Sequence, residues 1–238
     1  MIAAHATPPA PVVWVQAGHQ GPREPGYTAQ TGAGTGPFGS EVGFTTRLAT
    51  RVVARLRAAG VDARRTPGRV TPYASRGAVF ISLHHDSPGG HAAIGYAISG
   101  AGENWYHGEG SGTASPVPYA DSAPHRPATV VSRAVERNSR ALAEDLDRTF
   151  GAIHTRANGA RGAFTGVEPR GGNVRMMRYY GYYRTQAGAR VLIEAGAPGV
   201  DDAFLRRVDP IAAAVSSAIT GYLRERGALA ATALSRVR

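Results

Sequence analysis

The chain reads as an α/β protein, a single domain whose mostly parallel central sheet is flanked by helices. Three observations predict this. Short apolar runs of the kind that form buried strands alternate with longer segments whose apolar residues recur every three or four positions. The length of 238 residues corresponds to one domain at about 100–200 residues per domain. Hydrophobic residues make up 42% of the chain, which is the content of a chain that buries a core rather than of a disordered one.

Taken in order, residues 1–11 form a Pro-rich leader. Val12 to Gln16 is a short apolar run and reads as a buried strand. Residues 18–39 are too rich in Gly, Pro and Thr for a helix. Ser40 then caps a helix with Glu41 in its first turn, and Phe44, Leu48, Val52 and Leu56 supply an apolar stripe that ends at Gly60. Val61 to Arg65, Val79 to Leu83 and Ala92 to Ile98 read as strands. From Ser99 to Pro127 the composition turns to Gly, Ser and Pro, which predicts an excursion rather than a second domain. Thr129 to Phe150 is the next helix, burying Val131, Val135, Leu142, Leu146 and Phe150. A turn-rich segment, an aromatic strand pair around Met176 to Tyr183 and a central strand at Val191 to Ile193 follow. The last helix re-initiates at Asp209-Pro210 and runs to about Arg226, leaving 227–238 as a tail.

Composition excludes several chemistries. There is no cysteine, so disulfides, thiolate zinc sites, iron–sulfur clusters and cysteine nucleophiles are absent. All 27 basic residues are arginine, which removes lysine Schiff bases and a Walker-type phosphate loop. The net charge of +10 favours anionic partners. The arginines are nonetheless spread out, with Arg64-Arg65 and Arg206-Arg207 the only adjacent pairs, and no concentrated basic stripe with stacking aromatics marks a nucleic-acid-binding module. No apolar run reaches the roughly 18–20 residues needed to cross a bilayer. No basic region followed by an apolar stretch opens the chain, so no secretory signal is visible.

Ligands of open α/β sheets bind at the carboxyl ends of the strands. The first strand runs into Gly18-His19, the Val79–Leu83 strand into His84-His85-Asp86, and the Val191–Ile193 strand into Glu194. Glu41, at the start of its helix, can reach the same edge. Two imidazoles and a carboxylate are the ligand set of a catalytic zinc with an open fourth position, and a further carboxylate can act on its water. At this level the spacing leaves His84 and His85 as alternatives. Glu194 is the sharpest feature, because a carboxylate directly after Val-Leu-Ile is costly to bury without a partner; Arg190 or Arg178 would serve a purely structural role for it. His91 and His125 read as loop histidines, and Tyr179 to Tyr183 as a half-buried strand.

Four segments in order resemble the zinc-dependent N-acetylmuramoyl-L-alanine amidases of the amidase-3 type: Gly18-His19-Gln20-Gly21, Gly39-Ser40-Glu41, Ser82-Leu83-His84 and Leu192-Ile193-Glu194-Ala195-Gly196. The resemblance spans roughly residues 12 to 224. Departures are Gln20 in place of a usual glycine, His85-Asp86 in place of Ala-Asn, and Ala197-Pro198 in place of a Phe. It implies His19, Glu41 and His84 as Zn²⁺ ligands, with the Ser-x-His pattern selecting His84, and Glu194 as the catalytic carboxylate. It also implies a catalytic domain over residues 12–226. The Ser99–Pro127 excursion, with Trp105, Tyr106 and His107, reads either as a groove wall whose aromatic faces stack on glycan or as an inert surface loop. The implied substrate is peptidoglycan, glycan strand plus stem peptide. The implied place of action is the cell wall, reached by a secreted bacterial enzyme or a phage lysin. A zinc peptidase acting within the stem peptide, an inactive wall-binding protein and a nucleic-acid-binding protein are the competing readings. The oligomeric state is left open, with a monomer as the default.

Overall fold

The computed structural model of the protein describes residues 11–19, 36–67, 75–100, 129–158, 164–170 and 185–229. Among these, six strands make one sheet: β1 (Val12–Ala17), β2 (Asp62–Pro67), β3 (Ser75–His84), β4 (Ala92–Ala97), β5 (Phe164–Arg170) and β6 (Thr185–Glu194). They lie in the order β2-β1-β3-β6-β4-β5. The first four in that order run parallel, while β4 runs antiparallel to β6 and β5 runs parallel to β4. The expected mostly parallel sheet is therefore present, with a reversed pair at one side. The helices are α1 (Glu41–Ala58), α2 (Arg133–Leu146), α3 (Ala152–Asn158), α4 (Asp202–Leu205) and α5 (Val208–Glu225).

α1 forms where its apolar stripe predicts. Ser40 stands at its N-cap in extended backbone, Phe44, Leu48, Val52 and Leu56 are buried, and Arg55 and Arg57 sit in the last turn, where the helix dipole favours cations. The stripe packs on α5 and on Val13, Val15, Val79, Ile81, Leu83, Val191 and Ile193, alternate residues of the central strands. Each such side chain contributes about 1.5–3 kcal/mol by leaving water. The intervening file begins apolar, with Trp14, Phe80 and Leu192 in a second cluster. Toward the carboxyl ends it turns polar while staying buried, through Gln16, Ser82, His84 and Glu194. That change of character along one file creates the site.

Connectivity decides where the site opens. β1 passes through α1 to β2 on one side, and β3 then lands on the other side of β1. The order of strands thus reverses at β1, and such switch points leave a crevice beyond the strand ends. No described helix is long and apolar enough to cross a membrane.

Four expectations need correction. α2 starts at Arg133, because Thr129 to Ser132 is held extended: the Thr129 hydroxyl donates to the Thr185 carbonyl, the buried Arg190 guanidinium donates to the Thr129 and Val130 carbonyls, and Ser132 caps the helix by accepting from Val135 N–H. The helix also continues beyond Phe150, through a π-helical turn (Asp147–Gly151), into α3. The turn-rich segment contains β5, an edge strand whose Pro169 leaves the ladder tolerable only at an edge. α5 has Arg207 at its N-cap, so Asp209 and Pro210 fall within its first turn rather than at the cap and first position. Residues 1–10, Gln20, Gly21, the excursion over 101–127, the aromatic pair at 176–183 and the tail from residue 230 lie outside the described residues.

Candidate metal centre and active site

Gly18 and His19 follow directly from β1. Gly18 donates its N–H to the Leu83 carbonyl, and its own carbonyl accepts from the Thr45 hydroxyl of α1 at 2.7 Å. A Cβ at position 18 would stand 2.3 Å from His84 Cε1, so only glycine lets the imidazole lie against the backbone here. His19 then adopts a left-handed conformation (φ 56°). An L-residue pays about 1–2 kcal/mol for that conformation. It turns the His19 ring edge-on to His84, with centroids 5.0 Å apart.

Glu41 is buried and joins these rings from the first turn of α1. Its Oε1 lies 2.8 Å from His84 Nδ1 and accepts the His85 backbone N–H at 3.2 Å, while its Oε2 lies 3.5 Å from His19 Nε2. Burial alone would raise its pKa. The hydrogen bond and charge of His84, with the charges of His19 and His85, outweigh burial and hold the carboxyl at about 2. Glu41 is thus a carboxylate at any working pH.

One donor atom each from His19, Glu41 and His84 lies within 4.8 Å of the other two. Tetrahedral zinc with bonds of about 2.0–2.2 Å needs donors about 3.4 Å apart, so modest closure suffices. The donor set is also chemically apt, since neutral imidazoles and a carboxylate suit zinc. His84 is the partner in this group; the side chain of His85 turns away, with Nδ1 2.9 Å from the Asp86 carbonyl and its ring against Phe44. His91 sits in the β3–β4 turn, where Asp86 accepts the N–H groups of Ser87 and His91.

Glu194 ends β6 in register with His84 across the parallel pair, so both side chains leave the same face of the sheet on adjacent strands. The segment after it is fixed on both sides. Ala195 N–H donates to the His84 carbonyl and Asp86 N–H to the Gly196 carbonyl. The buried Asp201 accepts Ala197 N–H through Oδ2 and the Asn158 amide through Oδ1, which also lies 3.5 Å from His154 Nε2. Gly196 (φ 152°) touches the Asp201 side chain, where a Cβ would stand 2.8 Å away. Arg190 instead sends its guanidinium to Ala187, Thr129 and Val130. Arg178 lies outside the described residues.

Gln16 is a participant the sequence reading passes over. It is fully buried and accepts the Ser82 hydroxyl, and Ser82 Oγ lies 3.0 Å from His84 Nε2. A polar residue inside the run Val12–Ala17 is the signal that could have found it.

No protein-family profile matches the sequence, and no curated protein matches it. Solved structures do. The N-acetylmuramyl-L-alanine amidase of Mycobacterium smegmatis superposes with a TM-score of 0.54 at 17% identity, covering 90% of this chain and 97% of that one. The catalytic domain of an N-acetylmuramoyl-L-alanine amidase from Bacillus (Paenibacillus) polymyxa gives 0.52 at 18% identity, with 90% and 98% covered. The apo form of the enzyme from Mycobacterium abscessus gives 0.52 at 17% identity, with 90% and 98% covered. The chain has the fold of these amidase catalytic domains over nearly its whole length.

Proposed function

We propose that the protein is a zinc-dependent peptidoglycan hydrolase that cleaves the amide between the lactyl group of N-acetylmuramic acid and the L-alanine of the stem peptide. The observation that carries this reading is the convergence of His19, Glu41 and His84 at the carboxyl ends of β1 and β3, with Glu194 in register beside them. The fold shared with solved muramoyl amidases supports the choice of substrate. The site of action is accordingly the cell wall.

His19, Glu41 and His84 would hold the ion. A zinc ion there supplies Lewis-acid polarisation of the scissile carbonyl and acidifies a water. Glu194, at the end of a rigid central strand, accepts the proton of the attacking water and returns it to the departing amine, as base and then acid. Its register with His84 keeps the carboxylate beside the metal-facing imidazole, and the bonds of Ala195, Gly196 and Ala197 keep the chain around it from moving.

The test is mass spectrometry of the soluble products formed from purified peptidoglycan by zinc-loaded protein. Stem peptides with a new L-alanine amino terminus are expected, and Glu194→Gln is expected to bind zinc normally and yield none. Cleavage inside the stem peptide would make the protein a zinc peptidase. Bound zinc without products would overturn the substrate assignment and point to a binding role or to a different amide.

A further inference from the structure

We propose that Gln16 and Ser82 are positioning residues that fix the proton of His84 on Nε2 and so commit Nδ1 to the metal. This rests on the reading of His84 as a ligand. The Gln16 Oε1 atom is a carbonyl oxygen and can only accept, so its short contact to Ser82 Oγ consumes the single hydroxyl hydrogen of Ser82. Ser82 Oγ then has only lone pairs to offer to His84 Nε2 at 3.0 Å. The Nε2 atom must therefore carry a hydrogen. The other ring nitrogen, Nδ1, faces Glu41 Oε1 at 2.8 Å; without a metal it donates a hydrogen to that carboxylate, and it is the nitrogen that would give up its hydrogen to a metal.

The sheet makes this relay rigid. Gln16 and Ser82 are register partners on the parallel strands β1 and β3, Ser82 and His84 are two residues apart on one face, and all three are buried. Ordinary residues at 16 and 82 would be apolar, as Trp14 and Phe80 are one step back along the same file. Two adjacent polar side chains inside a buried sheet are costly unless each satisfies the other, and here they satisfy each other and the imidazole. Outer partners of this kind orient a ligating histidine and raise its basicity. A Gln16 amide turned the other way would reverse both hydrogen bonds and leave the proton on Nδ1, against the metal.

Two measurements test the proposal. The first is zinc affinity by competition with a chromogenic chelator for the wild type, Ser82→Ala, Gln16→Met, Ser82→Thr and His84→Ala. The second is ¹H–¹⁵N correlation of the His84 ring, with and without zinc. Ser82→Ala and Gln16→Met are expected to weaken zinc binding about 10–100-fold and to expose the Nε2 hydrogen to exchange with water. Ser82→Thr, which keeps the hydroxyl, is expected to restore both. A bare Nε2 in the wild-type protein would overturn the relay. So would affinity lost in His84→Ala but unmoved in both relay variants. Affinity unmoved in His84→Ala would instead overturn the metal site itself, whatever the ring correlation shows.

Discussion

His84 and His85 are adjacent in sequence and opposite in surroundings. The first meets Glu41, Ser82 and the edge of His19; the second lies between the Asp86 carbonyl and the ring of Phe44. His84→Ala is therefore expected to abolish stoichiometric zinc binding, read by metal analysis after gel filtration. His85→Ala is expected to keep the metal and lose only stability. This distinction was not legible from spacing, since either residue follows an apolar run; alternation along β3 decides it, because His84 shares its face with Ser82. The placement of His19, His84 and Glu194 at strand ends was legible because each follows an apolar run, and that of Glu41 because it opens the helix after Ser40. Gln16 was hidden because a single amide in a run of Val and Trp looks like an interruption.

At the scale of elements, the turn between β6 and α4 is the part most tightly specified by side chains. Asp201 links it to α3 through Asn158 and His154, inside a cluster that includes Phe150, Phe164 and Phe204. Asp201→Ala strands the buried Ala197 N–H and the Asn158 amide, and is expected to cost about 1–3 kcal/mol in urea unfolding. Asp202→Ala, which removes only an exposed contact to Gly199 N–H, is expected to stay within about 0.5 kcal/mol. β1, β3, β4 and β6 were legible as short apolar runs, and α1 from an apolar stripe that recurs every three or four residues. β5 was not, because Gly166 and Pro169 interrupt a strand that buries little of either face. The π-helical turn leaves no trace in a pattern read at 3.6 residues per turn. The reversal of β4 follows from the short connection over residues 85–91, which cannot make the crossover a parallel strand needs, a signal the sequence reading passes over.

For the whole molecule, the proposed metal site would link zinc binding to the stability of the fold. Zinc at about 100 times its dissociation constant adds about 2.7 kcal/mol to stability, which for a domain of this size raises the melting temperature by on the order of 5–10 °C; calorimetry with and without chelator checks this. Acid stability of the metal-free protein follows Glu41. Its pKa falls from 4.5 unfolded to about 2 folded, so the ionised form stabilises the fold above pH 4.5 and that contribution is lost as the pH falls through about 2. The stability gap between wild type and Glu41→Gln is accordingly expected to narrow as the pH falls from about 4.5 toward 2, in urea titrations across that range. The overall architecture was legible from the alternation of elements alone, because one stripe per helix and one file per strand suffice to define a single core.

The position of β6 has a consequence for assembly. It is the last of the described strands, yet it lies between β3 and β4, and Thr185 pairs with a residue 110 positions earlier. Pairing β6 with β3 is therefore a long-range closure, of the kind that slows folding. On the proposed function, the three side chains that would hold the ion, His19, Glu41 and His84, lie within the first 84 positions of the chain, whereas the carboxylate that would carry the proton, Glu194, is supplied by a strand from its far end, so both stretches must be in place before the site is complete.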